Sequence, residues 1–303
     1  MSTPEAAWQD YTSTLPSFDQ FEAEYQRYVK DELLHDSYKP AISVADLFKR
    51  PQLPITSYVP GFVYAGSLNL IAGEPKAGKS TLAWYVINAI SRGESFLDAT
   101  SRKANVLYVT EQNEVSFRQE TLNVVGFSTN ENTYVLLPEA SPVSSWERRI
   151  EFWGDRLVAT HSNVLVIDTF SSFASLPPNG ENDSACIAER LMQLKQLYAK
   201  RPSLGIILIH HIRKPSIDPK YPPKAYADLR DARGSTAIVG GVDHCVMIAK
   251  SVEHPNVRHI HTEGRFEPEN KFNIVLTDTG YKEFNSFRKG FREAHAEPKN
   301  TVL

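Results

Sequence analysis

From about Pro60 onward short apolar runs alternate with helical stretches, and this alternation is the main organising signal along the chain. Strands are expected at Ser67 to Ala72, Asn105 to Thr110, Asn163 to Asp168, Leu204 to His210, Asp243 to Ala249 and, as the final one, Phe272 to Thr277. Helices are expected at Ser80 to Ser91 and Asp183 to Lys200. Runs such as VLVID and GIILIH are apolar on both faces, which a parallel sheet packed between helical layers requires. Upstream, Phe18 to Leu34 reads as a helix, because Phe18, Phe21, Tyr25 and Tyr28 recur every three or four residues and build one apolar face. Pro40, Pro51, Pro54 and Pro60 punctuate the segment that follows, which reads as a linker. The expected organisation is a helical extension and linker over residues 1–52, an α/β core over 53–287, and a charge-rich, mobile tail over 288–303.

Composition changes this picture little. A chain of 303 residues with 41% hydrophobic and 23% charged residues can bury one large core. The net charge of −3 announces no polyanionic partner, so any nucleic-acid contact has to come from a local cluster of Lys and Arg. Cys186 and Cys245 lack metal-ligand spacing and suggest neither a zinc site nor a disulfide scaffold. The start, MSTPEAAWQDYTST, is polar and acidic, and no apolar run approaches the ~18 residues of a membrane span. A soluble, cytoplasmic protein with no membrane partner is the expectation.

The chemistry concentrates in Gly73, Glu74, Pro75, Lys76, Ala77, Gly78, Lys79 and Ser80, a G-x-x-x-x-G-K-S sequence between the strand LNLIA and a helix that continues through Thr81. Backbone N–H groups of such a loop curl around phosphates, and the helix N-terminus adds a partial positive field. Lys79 would reach the β and γ phosphates of ATP, and Ser80 would offer its hydroxyl to Mg²⁺. Four apolar residues ending in Asp168 form a second motif, which sets a carboxylate at the same end of the sheet as a further ligand for Mg²⁺. Glu111 follows the strand NVLYVT, where a carboxylate could orient and deprotonate the water that attacks the γ phosphate.

In their order these segments resemble the RecA-like P-loop ATPases, and within them the plasmid RepA-type hexameric helicases and DnaB-like motors. The likeness rests on VPGFVYAGSLNLIAGEPKAGKSTLA, VLYVTEQNEVSFRQE, NVLVIDTFSSF with the later NGENDSA, GIILIHHIRK, and ADLRDARGSTAIVGGVD, and covers about residues 53 to 283. It implies a RecA-like α/β core, a mostly parallel sheet flanked by helices, behind an N-terminal helical extension. It implies Glu111 as catalytic base and a γ-phosphate sensor in HHIRK, with His211 favoured over His210 because alternate strand residues face opposite sides. It further implies a trans-acting arginine finger, Arg233 or Arg265, and therefore a homo-oligomer, by family pattern a hexameric ring. Channel loops in this family grip single-stranded DNA, and they fall here at about 171 to 184 and 214 to 235. The second loop carries Lys214, Lys220, Lys224 and Arg230 with interleaved tyrosines, alongside Asp218, Asp228 and Asp231. The first has no Lys or Arg.

The leading functional expectation is thus a ring-forming DNA helicase of RepA type acting in replication of a plasmid, phage or mobile element. The alternative is a RecA-fold ATPase serving as loader, recombination mediator or defence component without unwinding. A scaffold that holds nucleotide only as a structural ligand is disfavoured by the intact Lys79, Glu111 and Asp168.

Overall fold

The computed structural model describes residues 42–49, 56–140, 145–178, 180, 183–211 and 237–284. The expected helix Phe18 to Leu34, the candidates Lys214, Lys220, Lys224, Arg230 and Arg233, and the tail lie outside the described residues. The chain divides into two compact units, Met1–Pro54 and Ile55–Leu303. The described part of the first is one short helix, α1 (Val44–Lys49), whose start is held by the Ser43 hydroxyl accepting the Asp46 N–H at 3.0 Å.

The second unit opens with a small hairpin, β1 (Ser57–Val59) and β2 (Val63–Tyr64). Then come β3 (Ser67–Gly73), α2 (Lys79–Arg92), β4 (Asn105–Thr110), α3 (Glu114–Thr121), β5 (Thr133–Leu136), α4 (Trp146–Ala159), β6 (Ser162–Asp168) and the single turn α5 (Phe170–Phe173). After these follow α6 (Ser184–Ala199), β7 (Gly205–His211), α7 (Ala237–Gly241), β8 (His244–Lys250), β9 (Val257–Gly264), β10 (Asn270–Thr277) and β11 (Gly280–Glu283). Among the described residues the main sheet has nine strands in the order β11-β10-β9-β8-β3-β7-β6-β4-β5. From β8 across to β5 every pairing is parallel, whereas β8 to β11 continue as an antiparallel meander.

Because side chains alternate along a strand, the sheet serves two cores. Val164 and Val166 of β6, with Ile207 and Ile209 of β7, face α2 and its Leu82, Val86 and Ile90. Leu165, Ile167, Ile206 and Leu208 face the opposite layer, where Trp146, Trp153 and Leu157 of α4 meet Leu191 and Leu194 of α6. Each cluster consists of residues at or near complete burial, so the central strands are fixed from both sides.

Two expectations change here. Phe272 to Thr277 is not the last strand, since Gly280 turns the chain at φ 114° into β11. The sheet also gains β9, whose sequence VRHIHTEG mixes charged and apolar residues, its His261 lying 2.8 Å from Glu269 and its His259 2.7 Å from Asn273.

The helix start expected at Asp183 is a true cap. Its carboxylate accepts the N–H groups of Ala185 at 2.9 Å and Cys186 at 3.3 Å. Asp183→Ala is expected to cost about 0.5–2 kcal/mol, read as a lowered denaturant midpoint with unchanged slope.

Candidate nucleotide site

Gly73 to Ser80 joins the carboxyl end of β3 to the amino end of α2. A side chain at Gly73 is excluded, since a Cβ there would sit 2.3 Å from the Ile248 carbonyl oxygen of the neighbouring β8. Gly78 lies in the left-handed region at φ 99°, as does Lys76 at φ 63°, and these two residues curl the loop. α2 begins on Gly78 with no side-chain cap, so its first N–H groups point into the loop as an anion site.

Lys79 is 5% exposed and its ammonium donates to the Glu74 carbonyl oxygen at 2.9 Å. It also lies 3.1 Å from His211 Nδ1, which must accept because an ammonium only donates. Both partners are neutral. Burial pushes Lys79 down to about 8, while the nearby Asp168 and Glu74 carboxylates pull it back up. A buried cation among neutral acceptors, at an uncapped helix start inside a glycine-built turn, fits a polyphosphate.

Register explains the histidine pair. Gly73 pairs with His211 and Ala72 with His210 across β3 and β7. His211 therefore shares the face of Lys79, whereas His210 turns to the other layer, where its ring stands 6.2 Å from Phe170. Asp168 ends β6 and is 4% exposed. Burial raises its carboxyl above the usual range, against the pull of hydrogen bonds from Tyr108 and Ser80 and the charge of Lys79, and the Glu111 charge raises it further. Ser80 stands in the first turn of α2 and Asp168 ends β6, and a hydroxyl with a carboxylate is the hard-oxygen set that would suit Mg²⁺. Glu111 is exposed, and its N–H donates to the Asp168 carbonyl at 3.1 Å, so it stands beside Asp168 at the mouth of the site.

The remaining arginine candidate is elsewhere. Arg265 pairs with Asp243 at 3.3 Å, and Asp243 in turn binds the Leu68 N–H at the amino end of β3. Arg265 therefore lies at the end of the sheet opposite to the phosphate loop, with its side chain 66% exposed. The loop after α5 has no cations of its own but is gripped by two from the helices. Arg149 donates to the Phe173 carbonyl at 2.5 Å, and Arg190 to the Ala174 carbonyl at 3.1 Å.

Two contacts at the site carry no local sequence signal. Arg258 of β9 donates through Nε to the Ala77 carbonyl at 2.7 Å, tying the antiparallel meander to the phosphate loop. Tyr281 of β11 closes the same flank, with its hydroxyl 3.6 Å from where a Gly78 Cβ would be.

The sequence profile of the AAA domain family matches residues 35–216, a span that holds the phosphate loop, Glu111, Asp168 and both histidines. The chain belongs to the AAA domain family. Its core is shared with solved structures at low identity. A KaiC-like protein from the hyperthermophilic archaeon Pyrococcus horikoshii is 13% identical with a TM-score of 0.51, over 75% of this chain and 93% of that one. The RadB recombinase is 19% identical with a TM-score of 0.50, over 74% of this chain and 93% of that one. No curated protein matches the sequence. The AAA-domain chain is thus a RecA-like P-loop NTP hydrolase with an α/β core, as its motifs led one to expect.

The helicase expectation is corrected. Two solved structures that share the fold are a KaiC-like protein and a recombinase, neither named a helicase, and nothing in these two matches singles out the RepA-type or DnaB-like branch. Of the two expected channel loops, one lacks cations and the other mixes both signs. Among the described residues no helix of this AAA-domain chain is long and apolar enough to cross a membrane.

Lys79 gives the site a pH signature. Phosphates favour its charged form, so at pH above about 8 binding must take up a proton. ATP affinity is expected to hold steady below about pH 8 and to fall by up to about tenfold per pH unit above it. Calorimetry in buffers of different ionisation enthalpy would read the proton uptake. An affinity that stays flat to about pH 9.5 would contradict the assignment.

Proposed function

We propose that the protein is a magnesium-dependent ATPase that acts as a loader, recombination mediator or defence component, spending ATP on changes of assembly or partner rather than on strand unwinding. The observation that carries this reading is the gathering of Lys79, Ser80, Asp168, Glu111 and His211 at one end of β3, β4, β6 and β7, around a turn built for phosphates.

In this reading Lys79 leaves the Glu74 carbonyl and His211 for the β and γ phosphates, and compensates the charge that develops on transfer. Ser80 and Asp168 would hold Mg²⁺, which supplies electrostatic stabilisation of the phosphate oxygens. Glu111, open to solvent beside Asp168, takes the proton of the attacking water. His211, released by Lys79, is the group on which the state of the γ phosphate is read. Gly73 to Thr81 line the triphosphate. The protein works as a homo-oligomer, in which Arg265, remote from its own phosphate loop, or Arg233 completes the site of a neighbouring copy.

The test is turnover with Mg²⁺, with and without single-stranded DNA, alongside a forked duplex and mass measurement with a non-hydrolysable ATP analogue. Magnesium-dependent hydrolysis, assembly with nucleotide and an intact duplex are expected. ATP-driven opening of the fork would overturn the non-motor reading, and absence of hydrolysis from the assembled protein would overturn the enzyme.

A further inference from the structure

Asp168 is oriented by more than its neighbours in the loop. Tyr108 of β4 and Asp168 of β6 project from the same face of adjacent strands, because Tyr108 pairs with Val166 and Thr110 with Asp168. The Tyr108 hydroxyl reaches diagonally and donates to Asp168 Oδ2 at 2.6 Å. Behind it, Trp84 Nε1 on α2 donates to the Tyr108 oxygen at 2.9 Å. An indole N–H can only donate, so the phenol oxygen accepts there and its single proton is directed at the carboxylate. Trp84 is 2% exposed, Tyr108 0% and Asp168 4%, so the chain of donors lies in the buried interior, where hydrogen bonds are strengthened. Phe117 packs on both rings, with centroids 6.1 Å from Trp84 and 5.7 Å from Tyr108.

The distances are those of good hydrogen bonds, and the direction is fixed by chemistry. A tyrosine in the middle of a buried strand would otherwise bury an unpaired hydroxyl, so the pairing answers a packing need. The choice of Asp168 as the acceptor gives it a second consequence. An oxygen of Asp168 already held by Tyr108 leaves the carboxylate one orientation in which to meet the metal, and second-sphere donors of this kind tune metal affinity.

We propose that Trp84 and Tyr108 form a relay of positioning residues that sets the orientation of Asp168 for Mg²⁺, so that metal affinity in this ATPase depends on two side chains that touch neither metal nor nucleotide. The inference rests on the reading of Asp168 as a metal ligand. The experiment is calorimetric affinity for a non-hydrolysable ATP analogue, with Mg²⁺ and with a chelator, on the full chain. For Tyr108→Phe the affinity without metal is expected to match the unaltered protein, while the gain brought by Mg²⁺ shrinks by roughly ten- to a hundredfold. Trp84→Phe, which leaves the phenol in place, should lose less, and Phe117→Leu, a packing change alone, should leave the metal-dependent gain intact.

A second readout uses the relay itself. Adding Mg²⁺ to the analogue complex should change Trp84 emission, and that change should vanish in Tyr108→Phe while Trp146 and Trp153 still report the folded core. An unaltered metal-dependent gain in folded Tyr108→Phe would overturn the proposal. Should Tyr108→Phe not fold, an undiminished gain in Trp84→Phe together with no emission change on adding Mg²⁺ to the unaltered protein would overturn it instead. If the unaltered protein gains nothing from Mg²⁺, it is the metal reading of Asp168 that fails.

Discussion

Replacing Lys79 by alanine is expected to lower kcat by roughly a hundred- to a thousandfold or more, because it removes what is, among the described residues, the one buried cation of the phosphate loop. The size of the loss follows from burial. With 5% of its surface exposed, Lys79 sits in a setting where water screens little, so its charge acts on the phosphates at full strength. Nor does the structure offer a replacement, because Arg258, the nearest cation from the meander, is committed to the Ala77 carbonyl and to that of Pro255 at 2.5 Å. Stability should move the other way or stay level, since a buried ammonium held by two neutral acceptors pays for desolvation without an ion pair. The check is steady-state turnover set against a melting curve. Near-normal hydrolysis by a homogeneous preparation of the variant would mean that this loop does not hold the transferring phosphate.

Glu111→Gln is expected to give a different pattern, with kcat reduced roughly a hundred- to ten-thousandfold and nucleotide affinity kept. The glutamine keeps size and hydrogen-bonding capacity but has no basic oxygen. The backbone of Glu111 is anchored by its N–H on the Asp168 carbonyl, and α3 starts soon after on the Asn113 cap, so the variant side chain stays at the site. Removing its negative charge also removes one of the influences that raise Asp168, so metal binding should not weaken. Single-turnover measurement separates the two variants: Lys79→Ala loses binding and chemistry together, whereas Glu111→Gln holds ATP unhydrolysed. Unchanged single-turnover rates in Glu111→Gln would assign the base elsewhere.

Much of the nucleotide site was legible because its signals are local. The spacing of Gly73, Gly78, Lys79 and Ser80 encodes one strand, one turn and one helix start, and each step follows from backbone sterics. Asp168 is marked by its pairing with the phosphate loop rather than by its apolar strand alone, Glu111 by its place after the next strand, and the two-residue period says only that one of His210 and His211 faces the nucleotide, the family pattern favouring His211. Arg258 could not be found in this way. Its partner, Ala77, is 181 residues distant in sequence, and a carbonyl leaves no mark on residue choice. Tyr108 carried a partial signal, a hydroxyl in the centre of a buried strand, but its acceptor depended on the register between β4 and β6. The helix α4 is amphipathic, with Trp146, Trp153 and Leu157 buried on one face and charged residues on the other, a pattern the strand-and-helix alternation of the core does not by itself place. The helicase expectation failed for another reason. It was carried by likeness of motifs that every branch of the fold needs for ATP, and the loops that would distinguish a strand motor are those with the least decisive charge.

Among the described residues the sheet ends on either side in a strand of four residues, β5 and β11. An outer strand offers a passing chain its free backbone groups, and a short one offers few. A second copy seeking to extend this sheet would find only a few rungs on each flank, too little to hold a lasting junction by main-chain pairing. The described flanks of the sheet are in this respect guarded against runaway fibrous growth.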